Sequence, residues 1–349
     1  MSPVYATRAQ PQGPLEALHV ISPAQALVAI VTKLPDCEDA IVTRFESWQN
    51  VPFLLALGGA IVKLSESIPG GILCFFPSFV ALEACVATWQ AAGGPSGHVW
   101  ARLRCTKGAV VIEPRSAAAL PEACASYAAA ACSAHGAICL AVYRGKMSEG
   151  VSFNDGLCRG VICLGVPYPQ ATDPVVIAKR RWNDAHRCAG TAGVALPGRD
   201  WYELQAYRAV NQALGRCLRH RFDYGALILL DARWAAHGQH ARGLRRHLAR
   251  WLRPFVEEWP QGAQLATGVL GGTAHLGGSH WHGLLGRLQA FFERAPGAAE
   301  EQRKGGGGTA CRAQSSASPE PSGGPSRPAR PGQPAAGTGV PPRPPPAAP

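Results

Sequence analysis

Short apolar runs alternate with helically patterned segments along most of the chain. The runs cover 71–76, 109–112, 137–142, 161–166 and 226–230, and the helical segments lie near 51–66, 78–91, 116–134, 173–186 and 201–221. Strand and helix in alternation are typical of right-handed βαβ units. Strands without polar residues suit a parallel sheet that is covered on both faces. The pattern therefore predicts an α/β domain built on a mainly parallel sheet.

The composition divides the 349 residues into one globular region and loose ends. Residues from about 15 to 260 are apolar enough for a full core. Residues 1–14 are expected to be disordered, and 261–295 to form a peripheral loop or helix extension. From 296 to 349 the sequence is mostly Gly, Pro, Ser, Ala and Arg. Such a segment cannot bury enough apolar surface to offset its ordering entropy, so we expect a disordered, low-complexity tail.

The charge balance favours a polyanionic partner. A net charge of +11 and a pI near 9.3 fit nucleic acid better than an acidic small molecule. An acidic membrane surface is the competing explanation, but no run approaches the roughly 18 to 20 apolar residues of a spanning helix. The longest candidate, 51–64, is too short and is interrupted by Lys63. The N-terminus shows no signal peptide, so no membrane partner is expected.

The cysteines and histidines do not predict a metal site. The twelve cysteines are scattered without any C-x-x-C pair, and several lie in apolar runs, which is typical of small core residues in a reducing compartment. His275, His280 and His282 are close in sequence, but they lack nearby carboxylate or cysteine ligands. Loop histidines are therefore the better interpretation, and we expect no metal ligands.

A helix predicted over about 201–221 carries the most informative charges. Asp200 and Glu203 have capping-box spacing at its start. One apolar stripe would face the core: Tyr207, Val210, Leu214, Cys217 and Leu218. The opposite stripe would hold Gln212, Arg216 and Arg219, next to a glycine, Gly215, that permits close backbone approach. Guanidinium groups suit bidentate phosphate contacts, although a solvated arginine face remains the alternative.

In open parallel sheets, ligands bind beyond the carboxyl ends of the strands. The loops at 77–78, 144–150 and 167–169 follow predicted strands and carry polar residues. Gly145-Lys146 resembles the end of a Walker A loop, but Leu140 and Met147 occupy the positions that require Gly and Ser or Thr. The loop can still offer backbone N–H groups and cations to phosphates.

Four ordered segments carry a family resemblance: GGILCFFPSF (70–79), RGKMSEGVSF (144–153), RGVICLGVPYP (159–169) and NQALGRCLRHR (211–221). They resemble motifs IV, V and VI of superfamily 2 helicases, and more narrowly the iron-sulfur group that includes XPD. The stretch at 196–221 is most similar to FANCJ-type DNA helicases. The resemblance spans roughly residues 15–260, and it implies the RecA-like second motor domain with helices on both faces of its sheet.

The resemblance implies roles for individual residues. Gln212, Gly215, Arg216 and Arg219 match Q-x-x-G-R-x-x-R, whose polar face reaches ATP. Arg219 is then the expected arginine finger, with Arg216 and Gln212 assisting, and the choice between the two arginines stays open. Glu149, Gly150 and Gly215 are the expected ATP-binding positions, and the expected DNA-backbone contacts are Ser78, Lys146, Ser148 and Tyr168. Ser152 stands where many relatives carry Asp, which leaves the role of that carboxylate in doubt.

Other helicase parts are missing from this sequence. It contains no Walker A loop, no DEAH box and no four cysteines at iron-sulfur spacing. We therefore expect a second motor domain alone, which shares ATP and Mg with a first motor domain and is inactive by itself. An iron-sulfur cluster is expected only in the missing half. The implied function is half of an ATP-dependent DNA helicase, acting on single-stranded or forked DNA, in DNA repair and in the nucleus.

A non-enzymatic module is the alternative function. It would use the same basic surface on nucleic acid, or the proline-rich segment 341–346 on a protein partner, since polyproline segments bind aromatic grooves. The Arg- and His-rich stretch 242–253 predicts a helix, and its exposed side is either a DNA-binding face or simply solvated.

Overall fold

A computed structural model describes residues 20–91, 99–147, 151, 153–187, 196–260 and 279–305, without the side chains of 187, 279, 280, 298 and 301–305. The chain divides into two units, residues 1–307 and 308–349, and every described residue belongs to the first. Seven strands form its sheet: β1 (Ala26–Val31), β2 (Gly71–Phe76), β3 (Ala109–Ile112), β4 (Ala137–Val142), β5 (Gly160–Leu164), β6 (Gly225–Leu230) and β7 (Val256–Trp259).

All paired strands run parallel, in the order β3-β4-β2-β5-β6-β1-β7. Seven helices connect or cover them: α1 (Val51–Ser67), α2 (Phe79–Ala91), α3 (Val99–Thr106), α4 (Leu120–Ala131), α5 (Pro174–Arg187), α6 (Gly198–Leu214) and α7 (Ser279–Gly305). The RecA-like α/β fold expected from the sequence is thus confirmed. None of the described helices has the length and apolar character needed to cross a bilayer.

The sheet separates two hydrophobic cores. Alternate residues of each strand point to opposite faces, as in β1, where Ala29 packs in one core and Val28 in the other. Helices α1, α2, α3 and α7 cover the first face, and α4 and α6 cover the second. Helix α5 packs on α6 and contributes little to either core.

The predicted strands are all present, and three have the predicted bounds. Strands β5 and β6 begin one residue earlier than predicted, and β5 also ends two residues earlier, at Leu164. Two strands and one helix had not been predicted: β1, β7 and α3. The first part of α7 lies in the region 261–295, for which a loop or helix extension was expected. Strand β7 lies at the sheet edge and has only four residues, two of which are Glu257 and Glu258. Its sequence therefore lacks the apolar run by which the other strands were predicted. Helix α7 runs through the expected domain boundary at 295 and ends at Gly305, with Ala295 and Ala299 buried.

Two helix predictions were wrong in extent or type. Helix α6 begins at Gly198 after an N-cap Pro197, not with a capping box at Asp200, and it ends at Leu214 instead of Arg221. Cys217 and Leu218 are still buried, because the chain beyond the helix stays against the same core. The stretch 242–253 is not an α-helix but contains two 3-10 turns, Leu244–His247 and Arg253–Phe255.

Candidate nucleotide and nucleic-acid site

Three of the loops expected to bind phosphates lie at one edge of the sheet. They follow β2, β4 and β5, which are adjacent and parallel, so their carboxyl ends meet at the same edge. This edge therefore collects Ser78, Lys146 and Tyr168, the described residues expected to contact DNA. Ser148, Glu149, Gly150 and Ser152 lie outside the described residues.

A buried carboxylate shapes the loop that carries Lys146. Glu113 follows β3 and is only 2% exposed. Its two oxygens accept hydrogen bonds from the backbone N–H groups of Val142 (2.8 Å) and Met147 (3.1 Å). A Cβ at Gly145 would collide with the same carboxylate, so the close wrap of the loop requires a glycine there. The sequence analysis did not single out Glu113, because an acidic residue after a strand has no distinctive spacing.

Lys146 and Ser78 each have one protein contact that orients them. The Lys146 Nζ donates to the carbonyl of Arg115 at 2.8 Å while the side chain stays exposed. The Ser78 Oγ accepts from the Ala81 N–H at 3.2 Å and so caps helix α2. An ammonium has three donors, and a capping hydroxyl keeps its own O–H, so both can still donate to a phosphate oxygen.

Arg144 ties two of these loops together. Its φ of +60° places it in the left-handed region, where a side chain is uncommon. Its Nη2 donates to the carbonyls of Pro167 (2.9 Å) and Gln205 (2.8 Å). The loop after β4 is thereby fixed to the loop after β5 and to helix α6.

The ring of Tyr168 is held in a stack. It lies parallel to Tyr202, with centroids 5.6 Å apart and 6° between the planes, and the Arg233 guanidinium carbon is 6.0 Å from its centroid. Burial raises the pKa of the Tyr168 phenol, so the hydroxyl remains protonated at neutral pH. Tyr168 is thus better suited to donate an O–H than to offer an open ring face.

Arg233 itself is fixed at the end of β6. Its guanidinium makes a two-pronged contact with the fully buried carboxylate of Asp231, at 2.8 and 2.7 Å. The Thr43 hydroxyl donates to the same carboxylate at 2.9 Å. This cluster joins the loop after β1 to the end of β6 and was not expected from the sequence.

The predicted arginines do not share a helical stripe. Gln212 is exposed in the last turn of α6, but Arg216 and Arg219 lie beyond the end of the helix. Arg216 is half-buried, and its Nη1 donates to the carbonyl of Val151 at 2.7 Å, whereas Arg219 is exposed. Gly215 has an ordinary helical φ of −67°, so its conformation does not require glycine.

Asp223 fixes the turn that carries Arg219. Its carboxylate is fully buried and accepts from the backbone N–H groups of Arg219 (3.2 Å) and Tyr224 (3.0 Å). The guanidinium of Arg159 lies 2.6 Å from it and neutralises its charge. Gln25 donates to the carbonyls of Arg221 (3.0 Å) and Asp223 (2.9 Å). Asp223 was not among the predicted site residues.

The expected site residues therefore form two groups. Arg159 and Asp223 precede the parallel strands β5 and β6, so the turn carrying Arg219 lies toward the amino ends of the strands. Lys146 and Tyr168 lie at the carboxyl edge. The hydrogen bond from Arg216 to the Val151 carbonyl connects the two groups, because Val151 belongs to the segment between β4 and β5.

One cluster has the donor set of a metal site. Oxygen and nitrogen atoms of Asp155, His220 and Asp223 lie within 4.8 Å of one another. The Asp223 oxygens already accept two N–H groups and face the Arg159 guanidinium, whose charge opposes a cation. The expectation that the chain holds no metal stays a prediction.

Residues 61–255, which include both groups, match the family described as the helicase C-terminal domain. The chain belongs to this family. Membership confirms the expected second motor domain of an XPD-like superfamily 2 helicase, and the narrower likeness to FANCJ-type helicases stays a prediction.

Curated relatives of this helicase C-terminal domain include two from fruit flies. The "Regulator of telomere elongation helicase 1 homolog" of Drosophila erecta is 38% identical over 247 residues, covering 71% of this chain and 24% of that protein. Its Drosophila melanogaster counterpart is 37% identical over the same length, with the same coverage. The chain thus spans about a quarter of the length of the curated relatives it matches.

Solved structures similar to this helicase C-terminal domain include an XPD helicase and Xpd4 of S. tokodaii. The XPD helicase aligns over 67% of this chain and 35% of its own, with 17% identity and a TM-score of 0.43. The S. tokodaii protein aligns over 67% of this chain and 38% of its own, with 13% identity and a TM-score of 0.41.

Proposed function

We propose that this helicase C-terminal domain serves in an ATP-dependent DNA helicase, to which it supplies the arginine finger and part of the groove for single-stranded DNA. The observation that carries the proposal is the family match over residues 61–255. This region contains the turn that presents Arg219, held by Asp223, and the loop that presents Lys146, held by Glu113. ATP and Mg would be held mainly by a first motor domain, which also completes the site.

Arg219 is the better candidate for the finger. An arginine finger must reach the γ-phosphate of ATP across the cleft and neutralise the charge that develops there. Arg219 is exposed, and its backbone is anchored through Asp223. Arg216 instead donates to Val151, so it would align the turn with the loop that contains Glu149 and Gly150. Gln212, exposed one turn earlier, and Gly215 would complete the nucleotide-facing surface.

Ser78, Lys146, Ser148 and Tyr168 are proposed to contact the DNA backbone. Phosphate contacts fix the position of a strand without selecting a sequence, which suits a translocating motor. The chain would act on single-stranded or forked DNA in the nucleus, in DNA repair. Relatives named as regulators of telomere elongation support a nuclear role. The proline-rich tail is proposed to bind a protein partner.

The first test measures ATP hydrolysis by the purified 349-residue chain, with and without single-stranded DNA. We expect no DNA-stimulated hydrolysis. The chain can stabilise charge on the γ-phosphate, but without a first motor domain nothing holds ATP in the position for hydrolysis. Stimulated turnover that survives repurification and is abolished by Arg219→Ala would contradict the expected inactivity of the isolated chain.

In the second test, the 247 residues of the Drosophila melanogaster relative that align with this chain are replaced by this chain. In an active graft, Arg219→Ala should lower kcat by about 100-fold or more with little change in KM for ATP. Arg221→Ala is the matched control, since Arg221 is also exposed and lies two residues away. Equal kcat losses in both variants would remove Arg219 from the finger role.

A further inference from the structure

An arginine-rich segment follows the cluster at the end of β6. Residues 232–255 contain six arginines and three histidines but no aspartate or glutamate. Two of the arginines are neutralised by carboxylates outside the segment: Arg233 pairs with Asp231 at 2.7 Å, and Arg245 pairs with Glu258 at 3.2 Å. Arg242, Arg246 and Arg250 are exposed on a surface that the proposed nucleotide site does not use.

Two interleaved rows organise this segment. Leu244, Leu248 and Leu252 are buried, with at most 2% exposure, and pack in the core beneath α6. Arg242, Arg246 and Arg250 have the same spacing of four, are offset by two residues, and are all exposed. We call these three the arginine row. The leucines anchor the segment, and the arginine row lies on its outer side.

Helix α6 holds the backbone of this segment in place. The Asn211 side chain donates to the His247 carbonyl and accepts from the Ala249 N–H, both at 2.8 Å. The Tyr207 ring stacks on His247, with centroids 4.0 Å apart and 9° between the planes. A surface with a fixed backbone loses less entropy on binding than a mobile arginine-rich loop would.

Neutral groups accept hydrogen bonds from two members of the row, Arg242 and Arg246. Arg242 donates to the carbonyls of Gln239 and Ala241, and the Arg246 Nε donates to the His247 ring at 3.1 Å. Burial and the neighbouring Arg246 lower the pKa of His247, which keeps that ring neutral and able to accept. These contacts orient the guanidinium groups of Arg242 and Arg246 without cancelling their charge.

We propose that Arg242, Arg246 and Arg250 form a binding surface for the phosphate backbone of duplex DNA. Proteins that bind single strands combine cations with aromatic rings on which bases stack. The rings nearest to the row in sequence are His247, which Tyr207 covers, and Trp251, which packs against the core. Non-specific binding of duplex DNA rests on phosphate contacts, which a row of guanidinium groups can supply. The inference rests on the proposed DNA-dependent function. It adds a second binding partner, the duplex DNA next to a fork.

The test compares two triple variants of the 349-residue chain with equal loss of charge. One is Arg242→Gln/Arg246→Gln/Arg250→Gln, and the control is Arg104→Gln/Arg181→Gln/Arg294→Gln, which neutralises exposed arginines elsewhere. Equilibrium binding to a blunt 20-base-pair duplex and to a 20-nucleotide oligothymidylate is measured over a range of salt concentrations. The slope of log affinity against log salt counts phosphate contacts, at about 0.9 per contact for duplex DNA.

For the duplex, we expect the row variant to lose about two to three units of slope and the control variant less than one. Single variants should each lose about one unit, which allows the test even if the triple variant folds poorly. Equal losses in the row and control variants would overturn the proposal in favour of general charge attraction. An equal loss of slope with oligothymidylate would overturn the assignment to duplex. Since the assay contains no ATP, its failure leaves the result for Arg219 unaffected.

Discussion

At the scale of single residues, Glu113 determines whether the loop after β4 can hold its shape. Its carboxylate satisfies two buried backbone N–H groups from a loop 29 and 34 residues further along the chain. Buried donors that lose their acceptor cost about 1 to 3 kcal/mol each. One side chain therefore fixes the backbone that presents Lys146.

We expect Glu113→Ala to lower the free energy of unfolding by about 2 to 4 kcal/mol, because both N–H groups lose their acceptor. Glu113→Gln should recover only part of this loss, since its amide offers one acceptor in place of two. Urea unfolding followed by circular dichroism measures the effect. The control is Glu122→Ala, at an exposed position in α4. A Glu113→Ala variant as stable as this control would show that the loop does not depend on the carboxylate.

At the scale of elements, a buried lysine joins a helix end to a strand start. Lys107 is 2% exposed, and its Nζ donates to the carbonyls of Ile68, just after α1, and Gly70, just before β2. Burial lowers its pKa from 10.5 to about 8. A cation at a helix C-terminus interacts favourably with the last carbonyls, which opposes this shift without removing it.

The lowered pKa gives a pH dependence with a definite sign. Between about pH 8 and pH 10.5 the folded lysine has lost its proton while the unfolded one retains it, so raising the pH favours the folded state. The stability of the wild type relative to Lys107→Met should therefore increase by about 1 to 3 kcal/mol from pH 7.5 to pH 10. Urea unfolding of both proteins across this range measures the difference. A difference that is constant with pH, or falls, would contradict the buried position of the ammonium.

Elements with long uniform patterns could be predicted from sequence, and those shaped by distant contacts could not. Strand β2 was predicted to the residue because its six positions are all apolar and buried. Helix α6 ends early because the turn after it is held by Asp223, Arg159 and Gln25, and Gln25 is 196 residues away from its partner Arg221. Periodicity alone could not distinguish this turn from one more helical turn, since Cys217 and Leu218 face the core in either case.

The same distinction applies to the candidate site. Motif spacing predicted site roles for Lys146, Tyr168, Arg216 and Arg219, because these residues carry the chemistry that a phosphate needs. It did not identify Glu113 or Asp223, which act on backbone N–H groups through the fold and share no local pattern with the residues they position. The separation of the arginines from the loops at the carboxyl edge also depends on sheet topology, which the sequence does not specify locally.

At the scale of the whole molecule, helix α7 completes the first core although the sequence analysis placed its second half in a tail. Trp281, Leu284, Leu288 and Phe291 are nearly fully buried, and the Trp281 Nε1 donates to the Lys33 carbonyl at 3.1 Å. Each large apolar side chain removed from water contributes about 1.5 to 3 kcal/mol. The domain therefore depends on residues well beyond 260.

Truncation after residue 278 should lower the Tm by roughly 10 °C or more, or cause aggregation, because it exposes the surface that α7 covers. Truncation after residue 307 should change the Tm by no more than about 2 °C, since it keeps α7 and removes only the low-complexity unit. Differential scanning calorimetry of the two truncations and the full chain measures this. Equal Tm values for all three would mean that α7 contributes nothing to the core.

The position of β1 in the sheet has a consequence for how the protein is made. This strand is among the first described residues, yet it pairs with β6 and β7, from Gly225 and Val256 onward. At a synthesis rate of about 5 to 20 residues per second, a nascent β1 waits roughly 10 to 40 seconds for its first neighbour. During that interval a wholly apolar strand has both edges open, a condition that favours capture by chaperones or pairing with another chain. The ribosome-bound intermediate is thus the state of this protein most exposed to misassembly.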